Sequence, residues 1–153
     1  MNKQDWNKQG NECNYEIMVK LGTREEWGKR PADLIGKIGC PLCDLEEQKP
    51  YILWKGDYWF IIINKYPYTQ DRFHIMAAPI EHLEFSHELP EICYTEMKKV
   101  HDFVKKYFEW KEYFSFTRES FWDRSLTHLH MHFLPGKLSP RKIMESIKEQ
   151  EKT

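Results

Sequence analysis

Three histidines alternate with large apolar residues in the last third of the chain. His128, His130 and His132 are separated by Leu129 and Met131, and they are three of only seven histidines in 153 residues. Because the side chains of a β-strand alternate between its two faces, this spacing predicts three imidazoles on one face and an apolar anchor on the other. Neutral imidazole is a common metal ligand and a nucleophile near neutral pH. The pattern therefore indicates a metal site or a site for anionic chemistry.

A second pattern is the Cys-x-x-Cys motif formed by Cys40 and Cys43 in CPLC. The pair alone is compatible with a redox couple, half of a zinc site or two unrelated thiols. No second Cys-x-x-Cys exists to complete a four-thiolate site, and no β-α-β pattern surrounds the motif. If zinc is bound here, its remaining ligands must be histidines. Cys13 in a polar leader and Cys93 on an apolar helix face are interpreted as an incidental thiol and a small core residue.

Runs rich in β-branched and aromatic residues predict five strands, at 51–55, 58–64, 73–79, 113–118 and 126–134. The first two are separated by Lys55-Gly56-Asp57, which predicts a hairpin turn. Pro79 ends the third strand because proline cannot donate to the ladder. The last strand, as predicted, carries all three alternating histidines.

Two helices are predicted after the third strand and at the C-terminus. Following Pro90, apolar residues recur at spacings of four, three, four and three, which indicates an amphipathic helix; they are Cys93, Met97, Val100, Val104 and Tyr107. Ser139-Pro140 resembles an N-cap with proline at the first helical position, opening a helix that runs to about Glu149. The combined order predicts an α+β fold, with a mostly antiparallel sheet of about five strands and the long helix inserted before the last two.

Composition narrows the classes of partner and compartment. The 23 basic and 24 acidic side chains nearly cancel, so no global field attracts nucleic acid or an anionic membrane. No apolar run approaches the roughly 20 residues needed to span a bilayer, and the polar start lacks the apolar core of a signal peptide. We expect a cytoplasmic protein with a small-molecule ligand. Residues 1–35, with a possible helix at 15–29, are predicted to be an N-terminal appendage to a domain at 36–153.

The histidine strand resembles the signature of the histidine triad (HIT) family of nucleotide hydrolases and transferases. HLHMHFL fits the family pattern His-φ-His-φ-His-φ-φ, in which φ is apolar. The upstream segment FIIINKYPYTQDRFHIMAAPIEHLEFSHEL resembles the second block of the family, with Asn64, His74, Pro79 and His82 in register. CPLC resembles the Cys-x-x-Cys of the zinc-containing branch. Together these blocks cover about residues 39–136.

The resemblance assigns catalytic and nucleotide-binding roles. It implies that His130 attacks phosphorus and forms a nucleotidyl intermediate, and that His132 donates to a phosphate oxygen. Transferase and phosphorylase relatives have Gln at the position of His132, so a histidine there favours transfer to water. By the same resemblance, Asn64 binds the ribose hydroxyls and Ser125 contacts phosphate or the leaving group. Read locally, Asn64 is equally a cap at the end of its strand, and His74, near the nucleotide pocket of the family, is equally a structural residue.

The same resemblance implies a structural zinc ion and a homodimer. In the zinc-containing branch the ligands are the two cysteines, the histidine after the third strand and the first histidine of the triad. These positions are Cys40, Cys43, His82 and His128 in this chain. The resemblance thus counts His128 among the catalytic residues together with His130 and His132, and the metal bound to it would hold the strand that carries His130 in place. Family members are commonly homodimers, and we expect pairing through the long helix and the neighbouring strand.

The segment before the triad departs from the family pattern. FTRESFWDRSLT contains no glycine, whereas many family members have an Asn and a glycine-rich run there. Thr117 stands at the position of the Asn; Arg118 or Arg124 could supply charge in place of neutral donors, and Trp122 could stack on a base or be an ordinary core or surface residue.

Four kinds of function remain open from the sequence. The preferred one is a hydrolase that cleaves a dinucleoside polyphosphate or a nucleoside phosphoramidate at the α-phosphorus. The altered segment also fits a nucleotide-binding module without turnover, and transfer to an acceptor other than water is a further alternative. A metalloenzyme would require His128, His130 and His132 to share one ion.

Overall fold

The computed structural model describes residues 20–29, 39–69, 73–121 and 124–152. Five strands form one sheet in the order β1-β2-β3-β5-β4, and every neighbouring pair is antiparallel. Their bounds are β1 Ile52–Lys55, β2 Trp59–Ile63, β3 Ile75–Pro79, β4 Tyr113–Thr117 and β5 Met131–Pro135. The predicted α+β fold with an antiparallel sheet is confirmed.

The described helices are α1 Arg24–Gly28, α2 Leu45–Gln48, α3 Glu91–Tyr107 and α4 Pro140–Gln150. The long helix before the last two strands and the C-terminal helix are where the sequence predicts them, and Ser139 is the N-cap of α4. Pro90 is the N-cap residue of α3. None of the helices in the described ranges has the length and apolarity needed to cross a bilayer.

Strand β2 separates two apolar clusters. On one face its residues Trp59, Ile61 and Ile63 pack with α3, and on the other Phe60 and Ile62 pack with a cluster that includes Leu42, Met76 and Leu126. All five residues of β2 are buried because the strand is paired on both edges and covered on both faces. This explains its uninterrupted apolar sequence. The second face, opposite α3, carries the candidate site.

A buried carboxylate joins α3 to the β1–β2 hairpin. Glu96 Oε1 accepts the backbone N–H of Asp57, and Oε2 accepts those of Tyr58 and Trp59, each at 2.8 Å. These three donors compensate for burying the charge. Gly56 lies so close that a Cβ atom there would overlap the carboxylate. The predicted hairpin turn is therefore fixed by a side chain of the long helix.

The last strand is shorter than predicted. It begins at Met131, so only one histidine of the triad, His132, lies in it. In the preceding segment the Leu129 N–H donates to the Leu83 carbonyl at 2.6 Å, which draws this backbone away from the sheet ladder. The prediction that one strand carries all three histidines is therefore wrong. The alternation of facing is nevertheless kept: Leu129, Met131 and Phe133 pack in the cluster with α3, whereas the three imidazoles lie on the other face of the sheet.

Part of the predicted N-terminal appendage packs on the domain. The Gly22 N–H donates to the Lys65 carbonyl at 2.7 Å, and the Tyr51 hydroxyl donates to the Lys20 carbonyl at 3.4 Å. Within the predicted helix at 15–29, the described portion is helical at α1, and the earlier portion lies outside the described residues.

Candidate active site and metal centre

Two cysteines and two histidines from three separate segments meet on the second face of the sheet. The ligand atoms of Cys40, Cys43, His82 and His128 all lie within 4.8 Å of one another. Cys43 Sγ is 3.2 Å from His82 Nδ1 and 3.5 Å from His128 Nδ1, and Cys40 Sγ is 3.6 Å from His128 Nδ1. The structure thus brings together the four ligands expected from the resemblance.

The spacing of this cluster fits a tetrahedral metal ion. With metal–sulfur bonds of about 2.3 Å and metal–nitrogen bonds of about 2.0 Å, sulfur-to-nitrogen edges are about 3.5 Å. His128 Nε2–H donates to the Pro79 carbonyl at 2.7 Å, which leaves the Nδ1 lone pair facing the thiols. Burial is the main reason that the pKa of His128 falls to about 4, so the imidazole is neutral and able to bind a metal. The cluster is a four-ligand site that could hold a metal ion.

His130 and His132 line a pocket next to this cluster. The pocket is open to solvent, and the space in it and at its mouth amounts to about 570 Å³. Apolar side chains form much of its wall, and Asn64 and Ser125 border it; the apolar members include Leu42, Ile62, Met76 and Leu126. His128 is not among the lining residues. Its donor atom faces the thiols, so this arrangement does not support an ion shared by all three histidines.

The hydrogen bond of His130 defines which ring nitrogen is free. Its Nδ1–H donates to the His128 carbonyl at 2.7 Å, so Nε2 carries the lone pair. No described residue hydrogen-bonds to Nε2. Burial lowers the pKa of His130, and the positive charges of Arg118 and Arg124 lower it further. The ring is therefore a neutral imidazole with an available lone pair.

A chain of hydrogen bonds gives His132 the opposite role. The Tyr68 N–H donates to His74 Nδ1 at 3.1 Å, so His74 carries its proton on Nε2. That Nε2–H donates to His132 Nδ1 at 2.8 Å, which places the His132 proton on Nε2. Nε2 of His132 is buried without a hydrogen-bond partner in the described part of the chain. His132 therefore offers an N–H donor to the pocket, where an oxygen atom of a bound ligand could accept it.

Aromatic rings cover both faces of His132. Phe116 stacks on it at 4.6 Å between ring centroids and 13° between planes, and Tyr68 at 5.9 Å and 17°. The pKa of His132 is far below its ordinary value, mainly through burial. Because the ring remains neutral, the tautomer set by His74 is retained at neutral pH.

Asn64 and Ser125 border the pocket, in agreement with their predicted location. Asn64 Oδ1 accepts the Tyr66 N–H at 2.9 Å, an Asx turn that closes the end of β2. Its Nδ2 is 3.3 Å from each ring nitrogen of His74. The strand-capping role is thus observed, and Asn64 also lies where a ligand would pass. Ser125 is exposed at the pocket.

The glycine-free segment before the triad is held by an arginine. Arg124 Nη1 donates to the carbonyls of Glu84 at 2.7 Å and Thr127 at 3.3 Å, and its guanidinium lies 4.8 Å over the Phe85 ring. Arg124 therefore fixes the loop while its charge acts on His130. Trp122, considered above as a base-stacking residue, lies outside the described residues.

Several residues of the site escape prediction from the sequence. Phe116 is directly opposite His132 in the β4–β5 register, which only the strand pairing reveals. Tyr68 acts on His74 through its backbone N–H, for which side-chain identity gives no signal. Arg24 and Trp27 line the pocket from within the predicted appendage, where nothing in their spacing indicated a site.

Comparison with known proteins identifies the fold. No protein-family model and no curated protein matches the sequence. A histidine triad protein from Clostridium difficile is similar in structure at a TM-score of 0.54 and 20% identity, covering 68% of this chain and 96% of that chain. A HIT family hydrolase from Clostridium thermocellum has a TM-score of 0.54 and 22% identity, over 67% and 95% of the two chains. A histidine triad nucleotide-binding protein from Candida albicans has a TM-score of 0.52 and 13% identity, over 74% and 95%. The protein therefore has the fold of the histidine triad proteins.

Proposed function

We propose that the protein is a nucleotide hydrolase that cleaves a dinucleoside polyphosphate or a nucleoside phosphoramidate at the α-phosphorus. The observation that carries this proposal is the pair of complementary imidazoles in the pocket. His130 presents a lone pair and His132 presents an N–H, with their ring centroids 4.8 Å apart. A nucleophile beside a hydrogen-bond donor is what attack on a phosphoryl group requires.

The reaction is a double displacement. His130 Nε2 attacks the α-phosphorus; the bond from phosphorus to the leaving oxygen or nitrogen breaks, and its electron pair departs with the leaving group, which takes up a proton. Water then attacks the nucleotidyl-His130 intermediate, loses a proton, and the phosphorus–nitrogen bond breaks to release a nucleoside monophosphate. The His128 carbonyl stabilises the positive charge that develops on the attacking ring.

The surrounding charge and shape support this chemistry. His132 donates its Nε2–H to a phosphate oxygen, and it does so as a neutral imidazole that keeps this proton. Arg118 and Arg124 add positive potential near His130. The apolar part of the wall accommodates a base, Asn64 approaches the ribose hydroxyls and Ser125 the leaving group. Two of the similar structures are named as a hydrolase and as a nucleotide-binding protein.

We also propose that the cysteine–histidine cluster binds a structural zinc ion. Cysteine thiolates and imidazoles in equal number are typical zinc ligands, and four protein ligands leave no open coordination position for catalysis. When bound, the ion would act as a cross-link. It would join the Cys40–Cys43 segment to His128, whose carbonyl holds His130.

The test of function is a turnover assay of the wild-type protein. Incubation with diadenosine triphosphate and with adenosine phosphoramidate is expected to release AMP from at least one of them. Binding of both without AMP release would instead support the nucleotide-binding module. Formation of ADP in place of AMP when phosphate is added would support a phosphorylase.

The hydrogen bond from His74 to His132 leads to a separate prediction. His74→Phe keeps an aromatic ring but removes the donor to His132 Nδ1, so the His132 proton is no longer held on Nε2. We expect kcat to fall by about 10- to 100-fold, the usual cost of losing such a supporting hydrogen bond. Steady-state kinetics measure this, with metal content as a check on folding.

The matched control is His87→Asn, which alters an exposed histidine that does not line the pocket. It should retain wild-type kcat. Full kcat in His74→Phe would refute the tautomer assignment for His132.

We further propose that the protein is a homodimer. The expected interface is the long helix with its neighbouring strand: α3 exposes Ile92 and Tyr94, and β4 is an edge strand of the sheet. Helix α4 also exposes apolar side chains, those of Ile143, Met144 and Ile147. These features are suited to pairing with a second copy. Sedimentation equilibrium should give the mass of two chains at micromolar concentration; a constant single-chain mass would disprove the proposal.

A further inference from the structure

Helix α1 supplies part of the pocket wall. Arg24 and Trp27 line the same pocket as His130 and His132, although they belong to the segment that the sequence separates from the domain. Trp27 also packs against the apolar cluster on this face. A ligand bound at the histidines therefore meets α1.

Short-range contacts fix α1 in this place. Thr23 and Glu26 form a reciprocal capping box, at 2.7 Å and 3.2 Å. The Trp27 ring packs on Tyr66 at 5.3 Å between centroids. Gly22 approaches the Tyr66 ring so closely that a Cβ atom there would overlap it. Since a five-residue helix is not stable alone, these contacts determine its position.

The guanidinium of Arg24 lies one ring away from His132. Its Cζ is 4.6 Å from the centroid of the Tyr68 ring, and Tyr68 stacks on His132 at 5.9 Å. Burial is the main reason that the pKa of His132 is lowered, and the charge of Arg24 lowers it slightly further. Arg24 and His132 thus line the same pocket and contact the same ring, that of Tyr68.

Most N–H donors of the Arg24 guanidinium have no hydrogen-bond acceptor among the described residues. One N–H donates to the Tyr66 carbonyl at 3.3 Å, and no described carboxylate lies within ion-pair distance. A guanidinium has five N–H donors and matches phosphate oxygens in bidentate geometry. Arg124, in contrast, already donates to the carbonyls of Glu84 and Thr127.

We propose that Arg24 determines specificity by binding a phosphate beyond the one that His130 attacks. This inference rests on the proposed function. It narrows the substrate class to nucleoside polyphosphates, since a phosphoramidate has no second phosphate for Arg24 to bind.

The test compares two nucleotides that differ by one phosphate. Isothermal titration calorimetry should show that the wild-type protein binds ADP at least about 10-fold more tightly than AMP, as expected for charge-assisted hydrogen bonds. In Arg24→Gln this preference should fall to about 2-fold or less, with AMP affinity nearly unchanged. Lys29→Gln is the control, because Lys29 carries the same charge on the same segment, pairs with Glu25 and does not line the pocket.

A second variant removes the contact without changing the charge. Gly22→Ala should displace α1 through the overlap with Tyr66 and lower the ADP preference in the same way. An unchanged ADP-to-AMP ratio in Arg24→Gln, or an equal loss for both nucleotides, would overturn the proposal. The binding assay does not require turnover, so the two proposals can fail separately. If the wild-type protein does not hydrolyse nucleotides but Arg24→Gln loses the preference for ADP, the hydrolase proposal is rejected and the role of Arg24 is supported. If the wild-type protein hydrolyses nucleotides but Arg24→Gln keeps the ADP-to-AMP affinity ratio, the hydrolase proposal is supported and the role of Arg24 is rejected.

Discussion

His130→Asn is expected to lower turnover by about 10⁴-fold or more, the scale of loss when a nucleophile is removed. Asparagine cannot provide the Nε2 lone pair, and no other described group in the pocket combines a free lone pair with this position. The rate of AMP release from a dinucleoside polyphosphate measures the effect. Nucleotide affinity should change far less, since most binding contacts remain.

The control for this variant is His101→Asn, which changes an exposed histidine on α3, on the opposite face of the sheet. It should retain full activity. Metal content should be unchanged in both variants, because His130 is not in the cysteine–histidine cluster. More than a tenth of wild-type activity in His130→Asn would show that another group attacks phosphorus.

Cys43→Ser is expected to release the metal and to destabilise the fold. Cys43 Sγ contacts both histidines of the cluster, so its loss removes the central ligand. A metal present at 1,000 times its Kd contributes about 4 kcal/mol, which corresponds to a decrease in Tm of about 10 °C in a domain of this size. Activity should also fall, because the His128 carbonyl that holds His130 is no longer anchored.

Metal analysis and thermal unfolding measure these effects. The wild-type protein should contain one zinc ion per chain, and its Tm should decrease on treatment with a chelator. Cys93→Ala is the matched control, since it removes a buried thiol of α3 that lies outside the cysteine–histidine cluster. Wild-type protein without metal, or Cys43→Ser with an unchanged Tm, would contradict the structural zinc site.

The elements of the fold were predictable because each has a simple periodic pattern. The long helix follows from apolar spacings of three and four, and β2 from its continuous β-branched run. The extent of β5 was not predictable from the sequence. The Leu129 N–H donates a hydrogen bond to the carbonyl of Leu83 in a distant loop, and local alternation does not encode this tertiary contact.

The site was predictable where side-chain identity carries the signal. The cysteine and histidine ligands came from recognisable motifs, and the structure places them together. The protonation pattern was hidden, because it depends on acceptors and donors of the backbone: Pro79 for His128, the His128 carbonyl for His130, and the Tyr68 N–H, acting through His74, for His132. Arg24 was hidden because only the packing of α1 brings it to the pocket.

These backbone contacts account for the different roles of three chemically identical side chains. His128 faces the thiols with Nδ1, His130 keeps its lone pair on Nε2, and His132 keeps its proton there. In the proposed reaction, His130 forms a covalent bond to phosphorus during turnover.

The stereochemistry at phosphorus tests this claim most directly. A substrate made chiral at the α-phosphorus with sulfur and an oxygen isotope would be hydrolysed, and the configuration of the product determined. Each in-line displacement inverts the centre, so attack by His130 followed by attack by water predicts overall retention. Overall inversion would mean that water attacks the substrate directly and would contradict the nucleotidyl-His130 intermediate.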